Sequence, residues 1–193
     1  MQYRLPLILI VTALTASCAG PHRPVQVDNH PSEFYRAVGL NVPEVEEDVM
    51  AQCTPPLGWT REPLKSSDRH KHQVWLSPTK NTAYGVIHFK LPLPVGVSLV
   101  YWEFLREMKK KEGEATELSR EDDPSLPGLR FVCEGGRYKM RVNLIVDGFD
   151  GWAIYAGTLR AYDEIPSELI LAERARERTI IGLPDPISTA KGE

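Results

Sequence analysis

His70 and His72 share one face of any extended strand, and His88 falls in the next β-like segment, so the three imidazoles have the raw spacing of a metal site. No carboxylate or cysteine spacing reinforces them. With His22 and His30 they read as solvated loop histidines plus one strand histidine, and a His-based metal-binding module is the alternative. Glu121, Asp122 and Asp123 stand together before Pro124, where a loop is expected rather than an acid/base pair. A G-x-S-x-G elbow, a phosphate loop, an H-E-x-x-H pair and a C-x-x-C pair are all missing from the sequence. The expectation is a non-catalytic protein with no cofactor and no bound metal; a hydrolase whose site is assembled from dispersed residues is the rival. The remaining concentration of chemistry is basic: Arg130, Arg137, Lys139 and Arg141 lie within one short stretch.

The first eighteen residues carry a different kind of chemistry. Arg4 supplies one positive charge, and Leu5–Ala16 is apolar apart from two threonines. About twelve helical residues rise ~18 Å, short of a ~30 Å hydrocarbon core. A basic start, a short apolar run and small residues read as a secretory signal peptide over residues 1–17. Its end, Leu14-Thr15-Ala16-Ser17-Cys18, resembles the lipobox of bacterial lipoproteins, with threonine where leucine is most typical. The resemblance implies diacylglycerol on the Cys18 sulfur, removal of residues 1–17, and a fatty acid such as palmitate on the new N-terminus. Two or more acyl chains hold a protein stably at a membrane. Ala19 in place of Asp implies, by the same resemblance, the outer membrane of the cell envelope. Cys53 and Cys133 then face an oxidising compartment, where they are expected to pair, with a buried free thiol at Cys133 as the alternative. A bridge closing ~80 residues is worth roughly 4–5 kcal/mol on the chain-entropy model.

Net charge is −3, and cleavage before Cys18 removes Arg4, which takes 23 cations to 22 against 26 acids. That balance excludes a general nucleic-acid binder, which needs a broad basic footprint. Ala19–Pro31 has three prolines and no hydrophobic period, and PEVEEDVM further on is acidic. Residues 18–52 therefore read as a lipidated tether, with a short helix possible from Ser32, and the domain is expected over 53–184 before a flexible tail at 185–193.

Within the domain, Lys71–Ser77 and Thr82–Lys90 are β-branched and aromatic and read as a hairpin. Ser98–Lys111 reads as a helix, capped by Ser98, with a stripe of Tyr101, Phe104, Leu105 and Met108 and a stop at Gly113. Ser167–Ile181 reads as a second helix with a small stripe of Leu171, Ala172, Ala175 and Thr179. Its charged residues, Arg176 among them, are expected in water. Gly135-Gly136 marks a two-residue hairpin turn between Gly128–Glu134 and Arg137–Asp147. Counting back from it places Glu134 opposite Arg137, Val132 opposite Lys139 and Arg130 opposite Arg141. Leu129, Phe131 and Cys133 then lie on a dry face, and the other face is wet and basic. Two facing arginines repel, so carboxylates or an anionic partner should sit nearby. A further strand follows at Gly151–Arg160.

Strands and segregated helices imply an α+β fold, an antiparallel sheet packed with two main helices. The element order, the Gly58-Trp59 start and a closing helix rich in Glu, Arg and Ala resemble the PsbP-like sandwich over roughly residues 53–184. That family implies a binding or assembly module rather than an enzyme. The expected function is accordingly an envelope lipoprotein that meets a protein or small anionic partner through the basic sheet face.

Overall fold

The computed structural model describes residues 31–67, 70–123, 128–159 and 165–182. The chain is α+β. In order come α1 (Ser32–Ala37), β1 (Glu44–Glu46), β2 (Ala51–Cys53), β3 (Thr60–Arg61), β4 (Lys65–Ser66), β5 (His70–Leu76) and β6 (Thr82–Lys90). Then follow α2 (Val97–Glu112), β7 (Ala115–Asp123), β8 (Gly128–Gly135), β9 (Tyr138–Asp147), β10 (Asp150–Leu159), α3 (Pro166–Arg178) and β11 (Ile180–Ile181). The main sheet runs β3-β5-β6-β10-β9-β8-β7, with β4 also on β5, and every pair is antiparallel. Among the described residues no helix is long and apolar enough to cross a membrane.

Strand alternation divides the core into two layers. On one face Tyr84, Val86, Trp152, Ile154 and Ala156 pack with Ala172 and Ala175 of α3. On the other, Leu129, Phe131, Val142, Leu144 and Tyr155 pack with Val100, Tyr101 and Met108 of α2. The small side chains of α3 let its backbone sit close to the sheet, as the sequence suggests.

Several boundaries differ from the expectation. Residues 32–53 belong to the fold rather than to a tether: Tyr35, Leu40, Val49 and Ala51 are fully buried in the α3-side core. β2 pairs with both β1 and β11 in a small second sheet, and Trp152 Nε1 donates to the Val49 carbonyl at 3.0 Å. The tether's acidic character hid this, because Glu44, Glu47 and Asp48 are borne on short elements that turn only every third residue, Glu46 and Val49, inward. α3 starts on Pro166, whose missing N–H costs nothing there, and ends at Arg178. Ile180 and Ile181 then pair with β2 instead of continuing the helix. α2 starts after Gly96, with no side-chain cap from Ser98, and stops at Gly113 in the left-handed region at φ 83°. The acidic Glu121–Asp123 segment ends β7, the edge strand that completes the sheet beside β8.

The β8–β9 hairpin turns one residue later than expected, which moves every cross-strand partner by two. Glu134 faces Lys139, Val132 faces Arg141, Phe131 faces Val142 and Arg130 faces Asn143. The reason lies in α2. A Cβ on Gly136 would meet the Glu112 carbonyl oxygen at 2.4 Å, and one on Gly135 would meet Met108 at 2.9 Å. These glycines let the hairpin pass under the end of α2, and the turn itself falls on Gly136 and Arg137. A shift of two residues keeps each side chain on its expected face. The dry and wet faces are therefore as read, while the Arg130–Arg141 opposition does not form.

Candidate functional site: an arginine cleft between the sheet edge and the closing helix

The wet face of β8 and β9 is the face on which α3 lies. A cleft of about 260 Å³ opens there, lined by Ser119 and Glu121 of β7, Arg130 and Val132 of β8, Arg141 of β9, and Arg176 and Glu177 of α3. The strand pleat places Arg130 and Arg141 on this side, two residues out of direct register, since Arg130 faces Asn143 and Arg141 faces Val132. α3 brings Arg176 in from above, beside the buried Ala172 and Ala175.

Each guanidinium has an acid nearby. Arg141 Nε lies 2.8 Å from Glu173 Oε1, Arg176 Nη2 lies 3.6 Å from Glu177 Oε1, and Glu121 stands opposite Arg130 in the β7–β8 register. Arg176 is the deepest. Its side chain is 11% exposed, it donates to Asn143 Oδ1 at 2.6 Å, and its Nε is buried with no hydrogen-bond partner. Burial first, with Arg130 and Arg141 adding, holds this guanidinium below its ordinary pKa, against the opposite pull of Glu177 and Glu173. Arginine nonetheless stays charged at any physiological pH. The cleft thus offers planar donor forks to an acceptor, and no nucleophile backed by a base.

Of the four basic residues singled out in the sequence, Arg130 and Arg141 meet here. Lys139 is on the same face but nearer the turn, opposite Glu134. Arg137 leaves the group: it forms a two-pronged pair with Glu112 at the end of α2, at 2.9 and 2.7 Å. Glu112 is held below the usual carboxylate range by that bond. Arg176, assigned to water from the sequence, is the residue that reasoning missed. The signal was its place next to the alanine stripe, from which a long side chain reaches beneath its own helix.

The other candidates disperse. His72 and His88 point to opposite faces of the sheet, because His72 pairs with Ile87 and His88 with Lys71 in the same ladder. His72 Nε2 meets the Tyr155 hydroxyl at 2.8 Å, and His88 Nε2 meets Asp150 Oδ1 at 2.6 Å. Their alternation excludes a shared ion, and the described residues contain no other three-ligand cluster. The expected Cys53–Cys133 bridge is also absent: both thiols are free and buried, in core layers on opposite sides of the sheet. Burial pushes each thiol up to about 12, so neither is a nucleophile near neutral pH. Cys18, His22 and His30 lie outside the described residues. No protein-family model matches this sequence, and no curated protein matches it.

Proposed function

We propose that the chain is an envelope lipoprotein, anchored through an acylated Cys18, whose domain is a non-catalytic binding module that takes an anionic group of its partner into the arginine cleft. The observation that carries this reading is the buried, unpartnered Nε of Arg176 between two further arginines. An orphaned donor of this kind costs roughly 1–3 kcal/mol, more when charged, and an incoming acceptor recovers it. Glu173 and Glu177 already neutralise part of the cleft, so a single weak carboxylate gains little by displacing them. A phosphate-like dianion gripped by two guanidinium forks gains more. The lipobox-like Leu14–Cys18 segment supports the anchor.

Calorimetric titration of the mature chain with inorganic phosphate and pyrophosphate tests the cleft. Wild type is expected to bind, and Arg176→Leu to bind roughly 10- to 100-fold more weakly, the span of a hydrogen bond to a charged group. Equal affinity in the two proteins, or no binding by wild type, removes the reading. Reversing Arg130 and Arg141 to Glu is expected to abolish crosslinked partner capture while circular dichroism stays native. The mass of the mature N-terminus checks the anchor separately.

A further inference from the structure

Large apolar side chains on a folded surface are common singly and informative together. Four of those exposed among the described residues belong to one stretch and the turn bonded to it: Leu93 at 64%, Leu99 and Trp102 at 60%, and Phe149 at 55%. The Leu91 N–H donates to the Phe149 carbonyl at 2.7 Å, which ties the β9–β10 turn to the segment leading into α2. Leu99 and Trp102 are three positions apart, on one side of that helix.

The rest of that side is basic. At about 100° per residue, Leu99, Trp102, Arg106, Lys109 and Lys110 fall within an arc of roughly 100°. All five are exposed, and the arc lies opposite the buried Tyr101 and Met108. Glu103 sits at its margin, 2.5 Å from Arg106. Glu107 lies off the arc, 3.8 Å from Lys110. The outer surface of α2 therefore begins with a leucine and a tryptophan and continues into three cations. That is the pattern of a helix lying in a membrane interface, with the indole at headgroup depth and the basic side chains over anionic lipid.

We infer that this outer surface of α2, with Leu93 and Phe149 beside it, rests on an anionic lipid bilayer. The inference goes beyond the arginine cleft, which opens on the other face of the sheet, but rests on the anchored-lipoprotein reading for the nearness of lipid. The reach is adequate. Residues 18–30 span up to ~40 Å at ~3 Å per residue. The described chain starts on the α3 side, and helix–sheet–helix layers about 10 Å apart put ~20 Å between the two helices. A bilayer under α2 leaves the cleft facing away from the membrane, open to a partner.

The test uses the full mature chain, its N-terminal mass determined first, in vesicles rich in phosphatidylglycerol or made of phosphatidylcholine alone. Lipids brominated near the glycerol end of their acyl chains quench a nearby indole. Trp75 and Trp152 are buried and Trp59 is partly buried against the α3-side core, so quenching in the anionic vesicles that disappears in Trp102→Phe reports this surface. Lys109→Gln and Lys110→Gln are each expected to lower the docked-to-undocked ratio about fivefold, and phosphatidylcholine to support little docking. An acylated chain whose Trp102 is not quenched overturns the inference and leaves the anchor standing. An unacylated chain whose Trp102 is quenched by added anionic vesicles does the reverse. Self-association that Trp102→Asp abolishes, without quenching by lipid, assigns the surface to a second copy and also overturns the inference.

Discussion

Among single side chains, His72 has the clearest consequence for stability. Burial first, then Lys65, His70 and Lys111, pushes its imidazole from 6.5 down to about 4. Burial also raises the Tyr155 phenol, so the hydroxyl keeps its proton and shares a hydrogen bond with Nε2 of the neutral ring. An unfolded chain protonates this histidine near pH 6.5 and the folded chain only near 4. The stability drawn from the neutral ring is thus complete above 6.5 and drains away as pH falls towards 4. The urea midpoint should drop across that window, and drop less in His72→Gln; parallel drops would falsify the assignment. Glu46, lifted by burial against Arg61, contributes in the opposite direction, so the variant comparison is what isolates His72. None of this is legible in the sequence, because Tyr155 lies 83 positions from His72. The same distance problem hid Arg176, whereas Arg130 and Arg141 were readable because strand alternation alone sets their face.

Elements were legible where local pattern and tertiary need agree. Thr82–Lys90 forms as read, and α2 differs from its expected span by one residue at each end. β7 was not legible, since its string of acids has poor strand propensity and pairs only because the β8 edge is there to be paired. β11 was lost to an apparent continuation of α3 for a similar reason: β2 offers two isoleucines a ladder. The hairpin register failed because Gly135-Gly136 was given a turn's meaning when its constraint comes from α2. Gly136→Ala is accordingly expected to cost roughly 1–3 kcal/mol as overpacking, read as a lower urea midpoint. Arg137→Gln, which takes an exposed guanidinium away from Glu112 and the Tyr138 ring, should lower that midpoint less. If the arginine change proves as costly as the glycine change, the turn is held by charge and not by space.

For the molecule as a whole, the sheet's two faces and the α+β class follow from hydrophobic alternation, and the two helices were visible by their periods. The domain boundary was not. Acidic, turn-rich sequence before Cys53 looks like tether until Tyr35 and Leu40 are seen at zero exposure against α3. Each such side chain is worth ~1.5–3 kcal/mol when buried, against a total stability of ~5–15 kcal/mol. Deleting residues 19–30 should leave the melting temperature unaltered. Extending the deletion to 43 should lower it by many degrees or abolish the transition. Identical melting curves for the two deletions would return α1 to the tether.

Burial of that first helix also determines how the protein answers to tension. Any pull applied ahead of Ser32 arrives first at α1, then at the short strand ladder shared by β1, β2 and β11, and only afterwards at the broad sheet. Two or three residue pairs per strand hold that ladder, so it is the weakest mechanical joint in series with the core. A chain stretched from its leading end would part there, giving up slack in one step, and because α1 and β11 both bear on α3 the arginine cleft would feel the same pull.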